Sequence, residues 1–277
     1  MKHLSTTIAL AFSMFSYAQE NPINIDLQQR GADVSPNLYG IFFEEINHAG
    51  DGGLYAELVQ NRGFEEHVLP LAMHYENGHA VGVDSPNYYS GVHKKWSIDW
   101  NLEEKKYLGW SVKGNACVVA REVKEMAKPL HRNTPNAMQL TISNMRDGGS
   151  ARLINSGYWG MGISKGEKYD LRFYVRSADY QGTIGAEITD SETGQVLGRV
   201  NLKKKNIKEW TEYTGVITGK GTTAKGQLEL VFPAPGTVFV DYVSLFPRHT
   251  FKNRRNGLRP DLARMLQGLH PKFMRWP

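Results

Sequence analysis

The 277-residue chain is 40% hydrophobic and 22% charged, which excludes a disordered polymer and bounds it at one large domain or two ordinary ones. Its 33 Lys and Arg against 28 Asp and Glu give a net charge of +5. The basic residues are dispersed apart from "LKKKNIK" (202–208) and "FKNRRNGLR" (251–259), with no helical or aromatic-interleaved basic stripe, so nucleic acid is excluded as a partner.

Residues 1–18 open with Lys2 and His3, continue through the apolar "TTIALAFSMF" and end in "SYA", the pattern of a secretory signal peptide cleaved after Ala18. The run is too short to span a bilayer, and no Cys follows the cleavage site to carry a lipid. The single Cys117 excludes an intramolecular disulfide, so the fold rests on core burial. An exported, cysteine-poor chain fits a bacterial periplasm or medium.

In "INIDLQQRGADVSP" (23–36), Ile23, Ile25 and Leu27 alternate with polar residues, which predicts a half-buried strand ended by Ser35 and Pro36. Next, "LYGIFF" (38–43) is apolar on both faces, the pattern of a strand in a parallel sheet covered by helices. The helix is expected in "GGLYAELVQNRGF" (52–64), with Leu54, Leu58 and Val59 on one face, Asp51 as N-cap, and Asn61 and Gly63 as stop.

A loop-rich stretch rich in Asn, Gly, Tyr and Trp occupies about 76–115, and short alternating segments follow. These are "CVVAREV", "AMQLTIS", "ARLIN", "YDLRFYVR", "IGAEIT", "WTEYTGVI", "QLELVF" and "TVFVDYVSLF", separated by turns such as "RDGGS", "SKGEK", "SETGQ" and "PAPG". Their spacing predicts an all-β sandwich. The helical period returns in "RPDLARMLQGLHP", where Leu262, Met265, Leu266 and Leu269 share a face and Pro260 and Pro271 bound the element. "KFMRWP" then reads as the start of another buried strand. The predicted fold class is α/β plus all-β: a partial (β/α)8 barrel interrupted by a β-sandwich.

Two acids follow the apolar run. In a parallel barrel, side chains just past a strand's C-terminal end face the active site, and Glu44 and Glu45 stand there. Glu44 shares a face with Phe42, and a carboxylate continuing a buried face needs donors such as sugar hydroxyls. Glu45 reads equally as a helix cap or a partner of Arg62. Glu44, Glu45, His48 and Asp51 fall within eight residues, but the spacing is not that of a helical zinc site and the Gly-rich loop would not hold them on one face. Neither a phosphate loop nor a GxSxG nucleophile turn is present. In "NSGYWGMGI", Tyr158 and Trp159 are candidates for stacking on sugar rings, or for the sandwich core; Trp96, Trp100 and Trp110 are weaker candidates. Asp241 is a candidate ligand for a structural calcium ion, or equally an outward-facing strand residue.

Two stretches carry a family resemblance. "ADVSPNLYGIFFEEINHAGDGGLYAELVQNRGFEE" resembles the opening of secreted bacterial α-L-arabinofuranosidases of glycoside hydrolase family 51, and "LARMLQGLHPKFMRWP" is similar to that family's entry into its second barrel strand. The region from about 100 to 247 is similar to jelly-roll carbohydrate-binding modules of the family 4/9 type. The resemblance implies a retaining hydrolase that removes terminal α-L-arabinofuranosyl groups from arabinan or arabinoxylan, with no cofactor. It implies a signal peptide at 1–18, an accessory-sandwich strand at 19–36, a first β/α unit at 37–75, an inserted sandwich at 76–247 and a truncated second unit at 248–277. By position, Glu44 matches the family's substrate-binding glutamate and Arg275 the arginine beside the nucleophile. The resemblance places both catalytic glutamates beyond Pro277, so no catalytic residue is expected in these residues. The alternatives are a β-glycan hydrolase of the same clan and a non-catalytic carbohydrate-binding protein.

Overall fold

The computed structural model describes residues 23–45, 47–67, 69, 73–82, 97–99, 101, 107–123, 127–203 and 205–275. The proposed leader at 1–18, together with Trp96 and Trp100, lies outside them. In chain order the strands are β1 (Ile41–Phe42), β2 (Met73–Glu76), β3 (His79–Gly82), β4 (Ser97–Asp99), β5 (Trp110–Gly114), β6 (Cys117–Val123), β7 (Ala137–Ser143) and β8 (Ala151–Asn155). They continue as β9 (Met161–Ile163), β10 (Lys168–Arg176), β11 (Gly185–Asp190), β12 (Val196–Asn201), β13 (Thr211–Thr218), β14 (Thr223–Phe232) and β15 (Gly236–Pro247). Helix α1 (Pro260–Gly268) and strand β16 (Met274–Arg275) follow.

The sandwich is present. One sheet runs β13-β10-β15-β7-β6 and the other β12-β11-β14-β8-β5, with β9 added against β14. All their pairings are antiparallel. Alternation decides the faces. In β10 Tyr169, Leu171, Phe173 and Val175 are buried while the residues between them are not, as the period of two requires. Leu140, Phe173, Leu230 and Val240 are 0% exposed and meet between the sheets, and the Phe173 and Tyr213 rings stack at 5.5 Å. Each such burial contributes about 1.5–3 kcal/mol. The turn "SETGQ" joins β11 to β12 because the Asp190 carboxylate accepts the Glu192 and Thr193 N–H groups at 3.0 and 2.8 Å. A small separate sheet, β2-β3-β4, takes up part of the loop-rich stretch.

Two sequence expectations fail. The predicted strand at 23–28 is exposed coil, with Ile23, Ile25 and Leu27 at 88%, 77% and 92% exposure. A strand needs a neighbour's ladder, and here Asp26 turns the chain locally by accepting the Gln28 N–H at 2.9 Å. The predicted helix at 52–64 is also absent. That segment is a strap laid along β15: Leu58 N–H donates to Leu245 O at 3.1 Å, and Val243 N–H donates to Arg62 O at 2.9 Å. Its apolar residues enter the sandwich instead of forming a helix face. Val59 and Phe64 belong to the core, and the Phe64 ring lies 5.1 Å from Trp110. Trp110 is therefore core, its indole N–H donating to Asn61 O at 2.9 Å.

Chain ends that are far apart in sequence meet. β1 pairs in parallel with β16, Ile41 opposite Met274 and Phe42 opposite Arg275. Gly40 permits this, since a Cβ there would stand 2.3 Å from Phe273 O. Parallel strands need a crossover. Here it contains the sandwich and ends in α1, so the helix sought at 52–64 is supplied by 260–268. The two strands are not enclosed: Phe42 is 56% and Met274 52% exposed, contrary to the buried reading of both runs. Among the described residues no further parallel strand or helix layer covers them. The described residues are mainly strand, with α1 their one α-helix.

Candidate functional site

The parallel register sets the rim. Phe43 N–H donates to Arg275 O at 3.0 Å, so Glu44 and Arg275 stand at the C-terminal ends of adjacent parallel strands. The Arg275 guanidinium lies 5.2 Å from the Phe42 ring centre, which puts it on that residue's face. Both Glu44 and Arg275 are exposed.

Beyond Glu44 the chain turns through a loop braced by its neighbour. The Glu45 carboxylate accepts the Gly50 N–H at 2.8 Å, so it ties the loop rather than capping a helix or pairing with Arg62. Arg62 instead faces Glu57 at 3.7 Å and Asp51 at 3.9 Å. The loop presses on the sandwich at Gly52, whose φ of +79° suits glycine and where a Cβ would lie 2.4 Å from the Tyr158 ring. His48 sits 4.8 Å from Tyr158 and 5.3 Å from Trp159, ring centre to ring centre. Tyr158 is half-buried, and burial pushes its phenol well above the ordinary value, so it stays a neutral donor. Trp159 is 67% exposed. The sequence candidates thus divide: Tyr158 braces the loop, and Trp159 presents a free aromatic face. A 560 Å³ cleft beside them is lined by Gly52, Tyr55, Glu57, Trp159, Arg259 and Asp261.

The strap carries a group that the sequence reading did not pick out. Glu57 is 2% exposed, and its Oε1 accepts the N–H groups of Leu58, Val59 and Leu245 at 3.0, 3.1 and 2.9 Å. Its Oε2 accepts the Ser244 hydroxyl at 2.5 Å. The carboxylate substitutes for a neighbouring strand beside the C-terminal half of β15, where β7, which pairs only with 236–240, no longer covers it. It also takes the N–H groups that a helix would have sent back along its own turn. Burial raises the pKa of Glu57 against the pull of these donors and of Arg62. The one signal in the sequence is an acid between the apolar residues Ala56, Leu58 and Val59.

Asp241 does not fit the calcium reading, nor is it outward-facing. It is 2% exposed at a bulge where Tyr242 has φ +50°, and its Oδ1 accepts the Tyr242 N–H at 2.6 Å. Burial, with Glu65 adding its negative charge, pushes the pKa up to about 8. A calcium ion needs six or more oxygen ligands around an ionised carboxylate. Among the described residues no group of three or more His, Cys, Asp or Glu is placed to hold a metal, the Glu44–Asp51 loop included.

No family model matches the chain. It is 31% identical over 258 residues to an extracellular exo-α-L-arabinofuranosidase of Streptomyces chartreusis, covering 92% of this chain and 25% of that protein. To α-L-arabinofuranosidase 2 of Arabidopsis thaliana it is 32% identical over 275 residues, covering 94% of this chain and 34% of the relative. In three dimensions it matches an arabinose-bound MgGH51 α-L-arabinofuranosidase with a TM-score of 0.65 and 26% identity, over 86% of this chain and 34% of that one. These likenesses define a class: the chain is a relative of the α-L-arabinofuranosidases. The lineage within that class is glycoside hydrolase family 51, that of the arabinose-bound enzyme the chain matches in three dimensions. The chain spans about a quarter to a third of the length of these relatives. Among the described residues no helix is long and apolar enough to cross a membrane.

Proposed function

We propose that the chain supplies part of the sugar-binding rim, and an inserted sandwich, of an exported retaining α-L-arabinofuranosidase acting on terminal groups of arabinan or arabinoxylan. The observation that carries this reading is the parallel β1–β16 register, which sets Glu44 beside Arg275 at one strand end, as a (β/α)8 barrel would require. In this reading β1 and β16 are the first two barrel strands, 1–18 is the leader, 19–36 belongs to an accessory sandwich, and 76–247 is the insert. Glu44 accepts hydrogen bonds from arabinose hydroxyls. Arg275 holds the nucleophile ionised and oriented. Trp159, with Tyr158 behind it, stacks on a neighbouring sugar unit. Double displacement needs two carboxylates about 5 Å apart. We place that pair in the portion of the relatives' length that these residues do not span.

Two measurements test the proposal. The 277-residue chain is expected to release no nitrophenol from 4-nitrophenyl α-L-arabinofuranoside; turnover abolished by Glu44→Gln would overturn the placement of the reacting pair. Trp159→Ala is expected to weaken binding of arabino-oligosaccharides about tenfold, the order of one lost aromatic contact, without moving the unfolding midpoint. Unchanged affinity would remove Trp159 from the site.

A further inference from the structure

On the outer face of the β13-β10-β15 sheet lies a groove of 440 Å³, which meets the Trp159 cleft at Tyr55 and Glu57 of the strap. Four arginines line it, each from a different element: Arg62 from the strap, Arg172 from β10, Arg248 just past β15 and Arg255 from the loop before α1. Carboxylates answer only part of this charge. Arg248 pairs with Asp170 at 2.7 Å, Arg172 pairs with Glu212, and Arg62 faces buried Glu57. Arg255 is exposed and enters no ion pair among the described residues. Arg248 and Arg172 keep donors beyond their partners, since a guanidinium carries five N–H groups.

The aromatic content selects the kind of anion. Arg62 lies 5.8 Å from the ring centres of both Tyr55 and Tyr242, and Tyr242 is 39% exposed in the groove wall. Flat phenol faces beside guanidinium forks suit a ligand with a ring and a planar anionic group together. A bare phosphate would use only the arginines. A lipid would find too little apolar wall, for Tyr55, Tyr242 and Phe246 are interrupted by Asp170, Thr214 and Ser244.

We infer that this groove is a second carbohydrate site, specific for a uronic-acid-bearing oligosaccharide whose carboxylate is held by Arg255 and Arg248 and whose ring lies against Tyr242. Its arginines and Tyr242 lie outside the adjoining Trp159 cleft, and it would anchor the protein on acidic stretches of a glycan. It stands whether or not the arabinofuranosidase reading holds.

Calorimetric titration of the 277-residue chain with trigalacturonate and with its methyl ester tests it. The acid is expected to bind at least about tenfold tighter than the ester at about 0.02 M salt, and the gap should shrink at about 0.5 M as the charges are screened. Arg255→Ala should abolish the difference while leaving the unfolding midpoint unchanged, and Trp159→Ala should leave uronate binding intact. Equal affinity for acid and ester would overturn the inference, as would indifference to Arg255→Ala. Tighter binding of a sulfated trisaccharide, inorganic phosphate or an oligonucleotide would equally overturn it. Loss of uronate binding in Trp159→Ala would merge the two sites and overturn their separation.

Discussion

Replacing Glu57 by alanine is expected to cost about 3–5 kcal/mol of folding stability, the scale of breaking a buried, multiply bonded charge. Three donors lose their acceptor at once, the Val59 and Leu245 N–H groups and the Ser244 hydroxyl, while the Leu58 N–H keeps only Leu245 O. Val59 and Leu245 are buried and cannot turn to water, whereas the Ser244 hydroxyl, in the wall of the arginine groove, can. Arg62 meanwhile loses its nearer carboxylate, leaving only Asp51. Glu57→Gln should cost less, since one amide oxygen can still accept the three N–H groups and Ser244 can rotate to accept from the amide. Urea unfolding of the two variants checks this. A loss below about 1 kcal/mol for the alanine variant would mean that the β15 edge does not depend on this carboxylate. Because the strap is continuous with the loop that holds His48 against Trp159, partial detachment should also be visible as a change in tryptophan emission.

Asp241→Asn should make the protein less sensitive to pH. The Asp241 pKa rises from an ordinary 3.8 to about 8 on folding. Between those values the folded state holds a proton that the unfolded state has released. Stability is therefore fully present below about pH 4 and is lost as pH rises toward 8, by about 1.4 kcal/mol per unit for this group alone. Asparagine still accepts the Tyr242 N–H and has no charge to bury. The variant should lie within about 1 kcal/mol of the parent at pH 5 and exceed it by about 3 kcal/mol at pH 8. Denaturation at both values provides the test. Glu57, whose pKa is also raised by burial, gives the same sign but is common to both proteins and cancels in the difference. Parallel pH profiles would show that Asp241 is ionised in the folded protein.

The sandwich was the most legible part of the fold. "CVVAREV", "AMQLTIS" and "ARLIN" coincide with β6, β7 and β8 end to end. A strand half-buried in a sandwich writes its environment into itself, residue by residue, so no partner is needed to read it. Short β9, the Gly-interrupted β12 and β5, inside the loop-rich stretch, carry too few alternations and were missed. In the candidate site, the position of Glu44 past a strand end was legible because an apolar run followed by an acid marks where a strand stops, whereas Arg275 beside it came only from the family resemblance. The contacts of His48 with Tyr158 and Trp159 were not, since they join a loop to a turn more than a hundred residues away.

What the amino-acid order determined by itself was the set of local periods: the sandwich strands, the helix at 260–268 and the two apolar runs that become β1 and β16. The tertiary structure alone decided where the ambiguous segments went. Residues 52–64 have an amphipathic pattern that suits a helix. The half of β15 beyond β7 offered their backbone partners at Val243 and Leu245, and the sandwich core took Val59 and Phe64. The run at 23–28 alternates like a strand but finds no ladder among the described residues, and so remains coil. Periodicity specifies which face a segment can bury, whereas hydrogen-bond partners and neighbouring surfaces, set by the rest of the chain, decide whether it buries that face and against what.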